Sequence, residues 1–340
     1  EGRAVTAGVV ALLTLLGAPL LMLLIARKLT HSGWRITPFL LRRSGWLLVT
    51  TLIVFSVSFL LMRAVPGGPF DDGRKLMPQV RQNLEARFGL DRPVGEQWLT
   101  ALGGLPTFDF GPSMTLRDFT VREVIGQGLP ASALLGLAAL GWMLLIGVPI
   151  GVTAALKRGH PLDAALSAGA SLGMAIPNFV LAGALMWPLV IATGWLPAAG
   201  LDSPRALLLP SFCLGAPFAA QVARLVRTGM LEVLGQDWVR TARAKGLSET
   251  RVITGHALRG ALLPVVTFLG PALAGILTGS LVIEQVFAIP GVGTHFVQSA
   301  INRDYTLALG MIMLYTLMVY ALNAIADLLL AVLDPRIELT

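Results

Sequence analysis

Residues Arg240–Pro264 read RTARAKGLSETRVITGHALRGALLP. The stretch holds six basic residues, counting His256, and one acid, Glu249, in a chain where only 13% of residues are charged. Gly246 interrupts a helix-compatible run at a cost of about 1 kcal/mol against Ala. GLSE then restarts a helix, with Ser248 as the cap and Thr250–Ile253 as its beginning. Pro264 stands at the head of a long apolar run. The expectation is a short helix, a glycine turn, a second helix and a proline at a membrane boundary. Such a knob, with a small residue at its bend, suits insertion into a groove on another protein. On charge alone, an ordinary basic loop between two spans is the plainer alternative.

Composition sets the frame. Of 340 residues, 55% are hydrophobic, and the mean hydropathy is +0.74. A soluble domain carries about a quarter charged residues, so this is an all-α polytopic membrane protein. The net charge of +7 reads as cationic loops held on the cytoplasmic side, not as a nucleic-acid surface. Cys213, the single cysteine, excludes an intrachain disulfide and lies in an apolar run as a small core residue.

A spanning helix needs ~20 mostly apolar residues. Seven stretches qualify: Val5–Ala26, Gly45–Ala64, Pro130–Leu156, Asp163–Gly194, Ala206–Val226, Leu263–Phe287 and Leu307–Leu333. The fourth contains Pro177 and Pro188 and is expected to kink or to begin as a partly buried segment. The first lacks a basic leader and a small-residue cleavage site, so it is expected to stay as an uncleaved helix. Residues 1–44 then form an extra helix and a basic linker, and 45–64 the first core helix. Residues 65–129 form an extracytoplasmic region, and 130–340 a five-helix core with a cytoplasmic loop at 227–262.

Loop charges orient the spans. Arg27, Lys28, Arg35, Arg42 and Arg43 meet no acid, whereas residues 65–129 hold seven basic and eight acidic residues. Lys157 and Arg158 return the chain to the cytoplasm, and Asp202 and Arg205 lie outside. Residues 227–260 carry six Lys or Arg against three acids, inside, and the C-terminal tail is inside.

The string RTARAKGL and the spacing from Gly246 to Pro264 strongly resemble the cytoplasmic EAA loop of ABC-importer permeases. FGLDRPVGEQWL (Phe88–Leu99), DFGPS (Asp109–Ser113), IPGVGTHFVQSAINRDYTLALG (Ile289–Gly310) and DPRI (Asp334–Ile337) look like the peptide and nickel branch of that family. Arg240 replaces the acidic residue of the loop's name, as is typical of that branch. Together these motifs cover about Gly45–Ile337. The resemblance implies a type I ABC importer transmembrane fold with an extra N-terminal transmembrane helix. It implies ATPase coupling through Arg240, Thr241, Ala242, Arg243, Ala244, Lys245, Gly246, Leu247, Ser248 and Pro264. It further implies a homologous second permease, two ATPase subunits that bind ATP and Mg, and an extracytoplasmic peptide-binding protein. The setting would be a bacterial inner membrane. Oligopeptides are the favoured cargo, with dipeptides, nickel chelates and glutathione as alternatives.

Polar residues within spans are expensive in lipid and mark candidate sites. Asn178, Glu284 and Asn323 are candidates for the translocation pathway, with local pairing the competing reading for Glu284. Asn323 shares a face with Asp327. Arg303 and Asp304 are candidates for contact with the binding protein. The chain contains no Gly-Lys dipeptide, hence no Walker A loop, and it is read as a non-catalytic subunit. No metal-ligand spacing or cofactor motif occurs. GASLG (Gly169–Gly173) matches the serine-hydrolase pattern. An intramembrane serine protease is therefore the rival from another class, and a stand-alone channel a further one. His31, His160, His256 and His295 all fall in loops or at loop edges, so Gly169, Gly173, Gly147–Gly151 and Gly275–Gly279 are read as helix-packing positions.

Overall fold

The computed structural model describes residues 36–70 and 77–333. The expected first span, most of its basic linker and the DPRI tail lie outside the described residues. The helices in chain order are α1 (Ile36–Ala64), α2 (Pro78–Arg87), α3 (Val94–Gly104), α4 (Val121–Leu156), α5 (Pro161–Ala175) and α6 (Asn178–Met186). They continue with α7 (Pro204–Leu234), α8 (Asp237–Ala244), α9 (Glu249–Arg251), α10 (Leu258–Ala261), α11 (Leu263–Val286), α12 (Val292–Ile301) and α13 (Tyr305–Leu333). Five of them are long and apolar enough to cross a membrane: α1, α4, α7, α11 and α13. The pair α5–α6, the latter extended by a π-helical turn over Trp187–Ala192 and bent 104° from α5, makes a sixth if its two halves count as one span. The bend falls at Ile176–Pro177, where the proline ring supplies no N–H to continue α5.

Two helices start earlier than their apolar runs. The expected start of α4 at Pro130 is corrected to Val121, nine residues upstream. Thr120 Oγ1 accepts from the Glu123 N–H, and Glu123 Oε2 accepts from the Thr120 N–H at 2.8 Å. This reciprocal pair nucleates the helix ahead of the proline. Helix α7 begins at Pro204 with its cap on Ser203, and it outruns its apolar stretch to end at Leu234.

The described residues form two compact units, one holding those from 36 to 131 with 290–321 and the other 132–289 with 322–333. In the first, Phe55 and Phe59 of α1 join Phe108, Phe110, Val121 and Val124 in one core. Leu307, Met311 and Met313 complete it. Trp98 of α3 stacks edge-on against Phe55 and donates to Ser56. Gln97, beside it, accepts from both Nε and Nη2 of Arg63 at 3.0 and 2.8 Å. The motif around Phe88–Leu99 therefore pins α3 to α1.

In the second unit, α4 lies directly on α7. A β-carbon on Gly147 would stand 2.6 Å from the Ala219 carbonyl oxygen, and one on Gly151 2.5 Å from that of Ala223. Gly215 of α7 returns the fit against Ala139. Small residues here allow close backbone approach where lipid gives helices no hydrophobic reason to associate. Met143, Val222, Val226, Met230, Ala257 and Ala261 fill the core around that seam. Cys213 is fully buried, in keeping with its reading as a core residue.

Candidate coupling site

The knob is built outward from Val239, which is fully buried, while its neighbour Trp238 stays 46% exposed and meets the His256 ring edge-on. Helix α8 closes on Lys245. Gly246 follows at φ +80°, and its N–H bonds the Arg243 carbonyl at 2.9 Å. The Leu247 N–H reaches the Ala242 carbonyl at 3.4 Å. These two bonds make a Schellman turn, which needs a left-handed residue at this position. A β-carbon on Gly246 would meet nothing within 4 Å, so conformation rather than space demands the glycine.

Ser248 leads into α9 in extended backbone, but its side chain makes no capping bond, which corrects the cap expected there. The restart is held by other means. Arg243 grips Glu249 with a two-point fork, Nη2 to Oε1 at 2.6 Å and Nε to Oε2 at 3.1 Å. Both side chains are exposed, so the pair adds little stability. Its role is geometric, fixing α8 against α9 across the turn. Arg243 holds the Glu249 carboxyl below its ordinary value of 4.5. With the folded value depressed, the pair's contribution is present above the ordinary carboxylate range. It is lost as pH falls through the lowered value.

A π-helical turn over Val252–Ala257 and helix α10 carry the chain on to α11. Pro264 is the second residue of α11, where its missing N–H costs nothing. Gly229 of α7 lies against the α10 backbone, where a β-carbon would stand 2.8 Å from the Ala261 carbonyl oxygen. Arg240, Thr241, Arg243, Ala244, Lys245, Gly246 and Ser248 are exposed, with Ala242 and Leu247 half-buried. Sequence placed the turn and the proline. It missed the Arg243–Glu249 fork and the Trp238–His256 contact.

The three candidate pathway residues lie on or against α11. Asn178 opens α6 just after the bend, its amide nitrogen 3.2 Å from where a β-carbon on Gly279 would stand. Glu284 is a residue of α11 itself, fully buried, with Oε1 accepting from Ser132 at 2.7 Å. The Asn323 amide oxygen lies over Gly270, 2.5 Å from a β-carbon's position.

The pair Arg303–Asp304 divides. Asp304 is fully buried, so the surface contact expected of it is corrected to a structural role. One carboxylate oxygen accepts from the Ser113 hydroxyl and from the Thr115 N–H and hydroxyl. The other accepts from Thr306 and from the Leu307 N–H, capping α13. DFGPS and INRDYTL thus meet at one carboxylate. Arg303 is half-exposed, its guanidinium resting on Gly67.

The serine-hydrolase reading finds no elbow. Ser171 lies inside α5 and donates to the Ser167 carbonyl of its own helix. Gly173 packs on Ala220, although Gly169 faces open space. Among the described residues, no group of His, Cys, Asp and Glu could hold a metal ion.

Several apolar helices long enough to cross a membrane, with a basic, exposed knob between two of them, define a multi-pass membrane protein. The chain belongs to the family described as binding-protein-dependent transport system inner membrane component, matched over residues 147–339. It is 42% identical over 302 residues to the oligopeptide transport system permease protein OppB of Haemophilus influenzae, covering 88% of this chain and 99% of that one. It is also 42% identical, over 301 residues, to the dipeptide transport system permease protein DppB of Bacillus subtilis, covering 88% and 98%. Among solved structures, it resembles an inward-facing MetNI methionine ABC transporter with a TM-score of 0.52 at 20% identity, covering 62% of this chain and 96% of that one. That likeness gives the type I ABC importer fold.

Proposed function

We propose that the chain is a permease subunit of an ATP-driven importer of peptides in a bacterial inner membrane. It would form the pathway with a homologous permease and take its energy from two ATPase subunits, which hold the ATP and Mg. An extracytoplasmic binding protein would deliver the cargo. The observation that carries the proposal is the knob at Asp237–Ser248. A left-handed glycine and an Arg243–Glu249 fork lock it into one shape, and its basic surface is left exposed. A cleft on an ATPase grips such a shape, and closure of the two ATPases swings it. The spans then alternate between outward-open and inward-open states.

Asn178, Glu284 and Asn323 are proposed at or beside the pathway, all mounted on or against α11. Arg303 and the region 65–129 are proposed to face the binding protein, and the C-terminus to be cytoplasmic. Relatives named for oligopeptides and for dipeptides match at the same 42% identity, so short peptides of either length are the cargo class.

The test is uptake of a labelled tripeptide by proteoliposomes holding the full complex, with and without ATP, for wild type and Gly246→Arg. ATP-dependent uptake that the substitution abolishes, with assembly intact, supports coupling through the knob. Uptake indifferent to both ATP and the substitution sinks the importer and leaves a channel.

A further inference from the structure

A well-anchored ion pair in the second unit lies away from the knob. Asp163, in the first turn of α5, is only 8% exposed at its side chain. Arg227, near the end of α7, forks onto it, Nε to Oδ1 at 2.6 Å and Nη2 to Oδ2 at 2.8 Å. The Gly159 N–H reaches Oδ2 at 3.2 Å, and Ser167 donates to Oδ1 at 3.3 Å. A carboxylate gripped at both oxygens fixes distance and angle together, which a single point contact does not.

The position of this fork in the chain is what matters. Arg227 sits seven residues before the end of α7, and only Gly235 and Gln236 separate that end from the knob. The return arm of the knob is seated on α7 as well, through Gly229 against Ala261 and Gly260 against Val233. Movement of the knob is therefore movement of the α7 end. Asp163 belongs to the half of the bent span that ends at the 104° break, and further along that half Gly173 packs on Ala220 of α7. The other half, α6, holds Asn178 against α11 at Gly279.

We infer that Asp163 and Arg227 form the mechanical link that carries knob movement into α5 and so works the break at Ile176–Pro177. They are coupling residues rather than contacts for cargo or nucleotide. The inference rests on the coupling role proposed above for the knob. Without the link, the ATPases still dock and turn over, but α5 no longer follows α7.

The test uses proteoliposomes holding the complete complex with its binding protein, and reads tritiated tripeptide uptake and ATP hydrolysis on the same preparation. Asp163→Asn and Arg227→Gln are expected to leave ATP hydrolysis per complex near wild type. Peptide imported per ATP should fall ~10-fold, the scale of a coupling lost between two sites. The double exchange of Asp163→Arg with Arg227→Asp should recover part of the ratio. If a single variant fails to assemble, Arg227→Lys, which keeps the charge and loses the fork, gives the reading. A lowered ratio there supports the link. An unchanged ratio in assembled variants overturns it, as does an equal fall in uptake and hydrolysis, which would make the pair a fold support only. The knob's own role is judged separately. Wild-type uptake that ignores ATP would remove the importer reading itself, whatever the pair does.

Discussion

Gly246 shows how one backbone angle can be a structural requirement. Its φ of +80° has open space around it, so Ala would fit the volume and fail only the conformation. The left-handed region costs a residue other than Gly about 1–2 kcal/mol, and costs Asn less than Ala. Titrated capture of the ATPase subunits should therefore weaken ~5- to 30-fold for Gly246→Ala and less for Gly246→Asn, since 1.4 kcal/mol is about tenfold in affinity. Equal binding by glycine and alanine would mean that the partner does not read the turn. Gly246 and Pro264 were legible because each signals locally. Asp304 was not, because its partner Ser113 lies 191 residues away, and sequence shows a charged turn without the socket that receives it. Glu284 hides the same way, with Ser132 152 residues distant.

At the scale of elements, small residues decide how closely helices pack, and the structure separates glycines that the sequence could only group together. Gly147 and Gly151 each face an α7 carbonyl within 2.6 Å of a β-carbon's position, whereas Gly169 faces nothing within 4 Å. Gly151→Leu should force the α4–α7 seam apart and cost ~1–3 kcal/mol as overpacking. Gly169→Leu should cost nothing measurable. Thermal unfolding of the detergent-solubilised chain reads the difference. A Gly151→Leu midpoint equal to wild type would deny the seam. The small-residue pattern alone gave both sites equal standing, because periodicity reports a stripe and not what lies across from it. The same blindness moved the start of α4. Pro130 drew the boundary by hydropathy, although the Thr120–Glu123 spacing carried a start signal further upstream.

At the scale of the molecule, hydropathy located every described span because desolvation dominates in lipid. It could not show the two units, since each joins segments far apart in sequence. Nor does hydropathy decide whether the bent pair α5–α6 crosses the bilayer or turns back, because both conformations bury the same residues. Loop charge supplies an expectation: Lys157 and Arg158 precede the pair, and a nearly neutral loop with Asp202 and Arg205 follows it. The positive-inside rule puts the basic side in the cytoplasm, which predicts that the pair crosses. Cys213 is fully buried, which makes the natural chain a silent background for thiol labelling. Single cysteines at the exposed positions Arg158, Asp202 and Ser248 then report sidedness to a membrane-impermeant maleimide. Helix α7 separates Asp202 from Ser248 in every arrangement, so those two must label from opposite faces. Arg158→Cys is the deciding probe. Labelling together with Ser248→Cys, and only in inside-out vesicles, means that α5–α6 is a true span broken at Pro177. Labelling together with Asp202→Cys makes the pair re-entrant. That outcome would reverse the orientation on one side of it and take from Asp163 and Arg227 the moving span they are proposed to drive.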